Sequence, residues 1–123
     1  MNTAFIILLM IFCHVVDDYY LQGWLASAKQ KAWWQENAPK KLYKYDYIWA
    51  LIMHSFSWAF MVMLPIVLNM DFRINGVFIV CFITNVIGHA VVDNEKANKF
   101  TINLWVDQLL HMYQIGLTAF ILL

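Results

Sequence analysis

Long apolar runs alternate with short polar joints along this chain. Four runs, residues 3–22, 47–68, 74–92 and 103–123, read as helices that cross a membrane. Each is close to the ~20 residues that a helix rising ~1.5 Å per residue needs to cross a hydrocarbon core. The polar residues inside these runs recur at helical spacing. His14, Asp18 and Gln22 step by four; so do Asn85, His89 and Asp93; Asp107, His111 and Gln114 follow at i, i+4, i+7. That period lines each set along one face of a helix. Such narrow stripes suit the interior of a bundle. The runs are too long and too continuously apolar for barrel strands. The expected fold is all-α: a single domain, residues 1–123, built as a four-transmembrane-helix bundle.

The joints refine this picture. Gly23 is expected to end the first run, and Pro65 to kink the last turn of the second, because proline removes a backbone donor. Residues 23–46 form an arm. Within it, residues 24–38 are good helix formers with Trp, Leu and Lys intermixed. They predict one short interfacial helix between spans one and two, lying on the cytoplasmic leaflet. Pro39 then opens a loop into the second run. Asn103 is placed to cap the fourth helix. The first residues lack a basic n-region and a small-residue cleavage site, so they read as half of a retained helix and not as a signal peptide.

Composition supports a membrane protein. The chain is 63% hydrophobic and only 13% charged, whereas soluble domains carry about 25% charged residues. The net charge is zero, and scattered lysines without a reading motif exclude nucleic acid as a partner. Cys13 and Cys81 sit inside apolar runs without metal or redox spacing and read as packing residues. Lys29, Lys31, Lys40, Lys41 and Lys44 fall between spans one and two, Lys96 and Lys99 between three and four, and only Arg73 between two and three. Positive loops stay in the cytoplasm. Both termini are therefore expected outside, in a bacterial inner membrane. Trp24, Trp33, Trp34, Tyr43, Tyr45 and Trp49 crowd the cytoplasmic boundary, where amphipathic rings are favoured.

This orientation gathers the chemistry. His14, Asp18, Gln22, His54, His89, Asp93, Asp107 and His111 all fall in the cytoplasmic half of their helices, and the outer halves are almost purely apolar. A carboxylate in low dielectric must be paired, protonated or bound to a cation. Imidazole and carboxylate one turn apart can chelate a metal, or one can orient the other. His14, Asp18, His89, Asp93, Asp107 and His111 are the expected ligands of a divalent ion, zinc first, with manganese or iron as alternatives. Asp17 lies about 100° around the helix from Asp18 and is expected to cap the helix or face headgroups. Asp46 and Asp71 read as interface residues.

The set His14-x3-Asp18-x3-Gln22, His89-x3-Asp93-x2-Lys96 and Asp107-Gln108-x2-His111 resembles a family of small integral membrane proteins of phages and bacteria, catalogued as a domain of unknown function. It covers nearly the whole chain. It is also distantly similar to membrane-bound metal-dependent hydrolases. The resemblance implies a polytopic helical membrane protein and leaves its activity open.

Three functions compete. The first is a metal-dependent hydrolase acting on an interfacial phosphoester or amide, lipid-linked or small, at the cytoplasmic leaflet. There His54 would be a ligand or general acid/base, Gln22 and Gln108 would position substrate or water, and Lys96 would contact an anionic headgroup. The second is a proton or metal-ion transporter or channel, which would need a homo-oligomer or an opening at Pro65 and Gly88 to complete a path. The third is a non-enzymatic phage-type factor that binds a host protein through the arm.

Overall fold

The computed structural model describes residues 1–123 as all helix and turn, with no strand. Six α-helices follow one another: α1 (Thr3–Val16), α2 (Leu25–Ala28), α3 (Lys31–Asn37), α4 (Asp46–Asn69), α5 (Gly76–Ala97) and α6 (Leu104–Leu122). A π-helical turn, Asp17–Leu21, extends α1. The four long helices form a closed ring in which α1 packs on α4, α4 on α5, α5 on α6, and α6 back on α1. Asparagine starts three of them. The Oδ1 atoms of Asn2, Asn75 and Asn103 accept from the backbone N–H groups of Ala4, Phe78 and Val106 at 2.8, 2.9 and 3.0 Å. Each satisfies a donor that the first helical turn leaves free.

Three stretches are long and apolar enough to cross a membrane: Thr3–Leu21, Lys41–Asn69 and Gly76–Ala97. Helix α6 has a comparable length, but Asp107, Gln108, His111 and Gln114 lower its mean hydropathy.

Helix α4 continues through Pro65 to Asn69, one residue past the expected end. The structure departs from the sequence reading in two places. Helix α5 runs to Ala97, past the expected end at residue 92, and its last turns carry the buried Asp93. The expected single arm helix is two, α2 and α3, broken at Gln30, which adopts an extended backbone. Asn98 causes the break: its Nδ2 donates to the Lys29 carbonyl at 3.0 Å, and its Oδ1 accepts from the Lys31 N–H at 2.6 Å. Those two backbone groups are thereby withdrawn from a continuous helix. Gly23 ends the π-helical turn as expected, with φ at +52°, a conformation glycine adopts without steric cost. Trp24, Trp33 and Trp34 then pack edge to face, with centroids 5.0–6.0 Å apart, and fold the arm onto itself.

The bundle core has two unlike halves. One is apolar: Ile6, Met10, Val62, Met63, Ile66, Phe78, Cys81, Ile115 and Ala119. The other holds His14, Asp17, His54, His89, Asp93, Asp107 and His111, all buried. Trp58 separates them. Its ring stacks on His89 at 4.3 Å between centroids, and its Nε1–H donates to His14 Nδ1 at 2.7 Å. Trp58→Phe keeps the aromatic body and removes that donor. It should lower stability by about 1–3 kcal/mol, the cost of leaving a buried acceptor unsatisfied. Trp58→Ala should cost about 3–5 kcal/mol. Unfolding in detergent micelles measures both.

Candidate metal centre

The four long helices each contribute at least one imidazole or carboxylate to the polar half. The π-helical turn begins at Asp17: the Gln22 N–H donates to the Asp17 carbonyl five residues back at 3.1 Å, while the Asp17 N–H still bonds the Cys13 and His14 carbonyls. Asp17 and Asp18 stand three and four residues beyond His14, so both share the inward face of α1. Asp17 is fully buried and accepts from the Ser57 hydroxyl at 2.5 Å. The expectation that Asp17 caps a helix or meets headgroups placed it only against Asp18; its burial and its bond from Ser57 overturn it.

His14, expected among the ligands, is committed elsewhere. Its Nδ1 accepts from Trp58, and its Nε2–H donates to Gln108 Oε1 at 3.0 Å. The Gln108 amide is oriented by its Nε2, which donates to Asp107 Oδ2 at 2.9 Å and approaches Asp18 Oδ2 at 3.5 Å. Both ring nitrogens of His14 are thus occupied in holding α1, α4 and α6 together.

Three carboxylates share one pattern. Asp93 Oδ2 accepts from Lys29 Nζ at 2.7 Å. Asp107 Oδ2 accepts from Gln108 and, at 3.3 Å, from Lys96 Nζ. Asp18 Oδ2 faces Gln108. In each the other oxygen, Oδ1, is turned towards imidazole nitrogens. Asp18 Oδ1 lies 3.2 Å from His54 Nε2 and 3.7 Å from His89 Nε2. Asp93 Oδ1 lies 3.3 Å from His111 Nε2, and Asp107 Oδ1 lies 3.4 Å from the same atom. The Nε2 atoms of His54 and His89 are 3.1 Å apart.

These spacings are those of chelating atoms. Two ligands each ~2.0–2.2 Å from one tetrahedral ion lie roughly 3.3–3.5 Å from one another. His111 Nδ1 faces Gln114 Oε1 at 3.2 Å, and Gln114 Nε2 points at the Asn85 carbonyl at 3.4 Å, so Nδ1 donates. The opposite nitrogen, Nε2, faces two carboxylate oxygens, and positive charge there, from a ring proton or a metal ion, offsets theirs. Asp17 Oδ2 lies 3.7 Å from His54 Nδ1, beyond hydrogen-bond distance.

The buried side-chain atoms without a hydrogen-bond partner are Asp17 Oδ2, Asp18 Oδ1, Gln22 Oε1, His54 Nδ1, His89 Nδ1, Asp107 Oδ1 and His111 Nε2. All belong to this centre or its edge. His54, Asp18, His89, Asp93, Asp107 and His111 can hold a metal, as can Asp17. Gln22 sits at the rim, its Nε2 donating to the Asp18 carbonyl at 2.6 Å. Lys96 is 37% exposed and bound to Asp107.

Sequence reasoning missed Lys29, Trp58 and Ser57. Trp58 and Ser57 were within reach, since Trp58 lies one turn beyond His54 on the same face of α4. Lys29 carries no such signal, because a lysine in a basic arm looks like any solvated one. Compared with known protein families, curated proteins and solved structures, the chain has no match.

Breaking a buried ion pair from one side leaves an uncompensated charge and costs about 3–5 kcal/mol. Lys29 and Asp93 are 12% and 5% exposed. Lys29→Met should therefore destabilise the protein by that order, and adding Asp93→Asn should restore most of the loss. Unfolding of the single and double variants in micelles reads the coupling.

Proposed function

We propose that this protein is an integral membrane metalloprotein. It crosses the bilayer four times, with the polar half of the bundle at the cytoplasmic leaflet. There it works as a metal-dependent hydrolase on an anionic interfacial substrate, a phosphoester or an amide. The observation that carries this reading is the gathering of the unpartnered buried polar side-chain atoms in one layer, where Asp18, Asp107 and His111 belong to groups with ligand spacing. Unpaired carboxylates in low dielectric are costly enough that they take up a cation. Zinc fits nitrogen and oxygen donors, and manganese or iron(II) fits nearly as well.

The outward faces support the membrane reading. Phe120 is 86% and Trp105 80% exposed, and Leu8, Phe12, Leu109 and Tyr113 also point away from the core. Contiguous apolar surface of this kind needs lipid or a partner. Helix α6 shares this design: its polar residues face the core and lower its hydropathy, and its outer face is apolar. The lysine distribution orients the bundle with residues 23–46 inside.

Each residue takes a role from its place. Asp17 faces the ring of His54 at 3.7 Å, Gln108 holds His14 and Asp107, and Lys29 holds Asp93. Lys96, half-exposed beside Asp107, is placed to receive an anionic group arriving from the headgroup layer. Gln22, with its Oε1 unpartnered, can align water at the rim. A divalent cation here supplies Lewis acidity and makes water acidic enough to act as a nucleophile near neutral pH. Transport is disfavoured by the apolar half of the core, where Asn85 donates to Thr118 at 2.7 Å and to Met63 Sδ at 3.5 Å and no charged or imidazole group continues the path. The arm is built into the centre through Lys29, and this disfavours a free host-binding arm.

Two experiments test the reading. Purified protein should contain divalent metal, and His89→Ala and Asp107→Ala should weaken metal affinity by more than the roughly 10–100-fold that losing a supporting partner costs. The same variants should abolish metal-dependent hydrolysis across a panel of interfacial phosphoesters and amides. Protein that takes up no divalent cation would remove the proposal. For topology, single cysteines at Asp71 and Lys41, in a background lacking Cys13 and Cys81, should differ. An impermeant maleimide should label the first in intact cells and the second only after permeabilisation.

A further inference from the structure

We propose that the centre holds two divalent cations, with Asp93 at the junction between them. This inference rests on the cation-binding reading above and extends it to number and position. The first position lies among His54 Nε2, His89 Nε2 and Asp18 Oδ1, whose mutual separations are 3.1, 3.2 and 3.7 Å. The second lies among His111 Nε2, Asp93 Oδ1 and Asp107 Oδ1, with His111 Nε2 at 3.3 and 3.4 Å from the two oxygens. The two sets share no residue. Each sits close to the ~3.3–3.5 Å edge expected for ligands of one tetrahedral ion.

Donor count favours two ions. A four-coordinate ion uses at most four ligands. With a single such ion, the remaining donors would stay buried against one another. Asp18 Oδ1, Asp107 Oδ1 and His111 Nε2 have no hydrogen-bond partner, and Asp107 and His111 are essentially inaccessible. These three atoms divide between the two sets, so one four-coordinate ion in either position leaves part of the conflict standing.

Asp93 links the positions. Its Oδ1 lies 3.3 Å from His111 Nε2 and 3.6 Å from His89 Nε2, and its Oδ2, held by Lys29, lies 3.4 Å from His54 Nε2. It therefore borders both sets, as a carboxylate between paired metal ions does. The rings of His89 and His111, one from each set, stack with centroids 4.1 Å apart. The two sets are therefore adjacent, as paired-metal centres with ions about 3.5–4 Å apart require. The ligand class is a borderline divalent cation that accepts both nitrogen and oxygen, such as zinc, manganese or iron(II).

The test is metal stoichiometry on the full chain in detergent. Chelator-stripped protein is titrated with zinc and with manganese, desalted, and measured by elemental analysis. Wild-type protein should bind about two equivalents, and its manganese form should give the exchange-coupled EPR signal of a close pair. His54→Ala and Asp107→Asn should each retain about one equivalent and lose the coupling; together they should retain none. One equivalent in the wild type, or two without magnetic coupling, would overturn the inference and leave the proposed function standing. No bound metal would overturn both. The wild-type measurement decides the matter even where a variant fails to fold.

Discussion

Four aspartates, Asp17, Asp18, Asp93 and Asp107, lie within the core of a helix bundle whose surface is apolar, and that burden of negative charge shapes the rest of the structure. A carboxylate taken out of water is tolerated only with a hydrogen bond, a counter-charge or a cation. The chain supplies the first two in part. Ser57 serves Asp17, Gln108 serves Asp107 and approaches Asp18, Lys29 serves Asp93, and Lys96 serves Asp107. Each partner engages one oxygen and leaves the other turned inward. Local supports of this kind fix the direction of a carboxylate without satisfying it, as a preorganised ligand requires.

The same requirement explains features that look incidental. Asp17 and Asp18, three and four residues beyond His14, turn one face of α1 inward before the π-helical turn widens it. The arm breaks at Gln30 because Asn98 holds the backbone on either side of it, with Lys29 over Asp93. Helix α5 continues to Ala97 because its last turns carry Asp93 and Lys96. Trp58 closes the polar half from the apolar one, and does so with a donor for His14 on its edge and a flat face for His89. Arm, turn and helix end are parts of one electrostatic arrangement.

Much of this was legible in the residue pattern. The i,i+4 steps of His14–Asp18, His89–Asp93 and Asp107–His111 place those pairs on common faces, and the structure brings all six residues, with His54, into one layer. Three features escaped. The inward turn of Asp17 follows from its i,i+3 spacing to His14, which a comparison with its neighbour Asp18 alone does not weigh. His14 has the right type and spacing for a ligand, yet its two nitrogens go to Trp58 and Gln108, residues 44 and 94 positions away. Lys29 meets Asp93 across 64 residues, and no local pattern marks it.

What the sequence determined by itself was the number of long helices, their polar faces and the concentration of acids and imidazoles towards one end. Those properties follow from the 3.6-residue period and from the cost of placing charge in an apolar medium, and both act within a single helix. Tertiary structure alone decided which lone pairs stay unanswered. That choice depends on distances of 3–4 Å between side chains from different helices, where rotation of one ring or one carboxylate separates a structural hydrogen bond from a ligand.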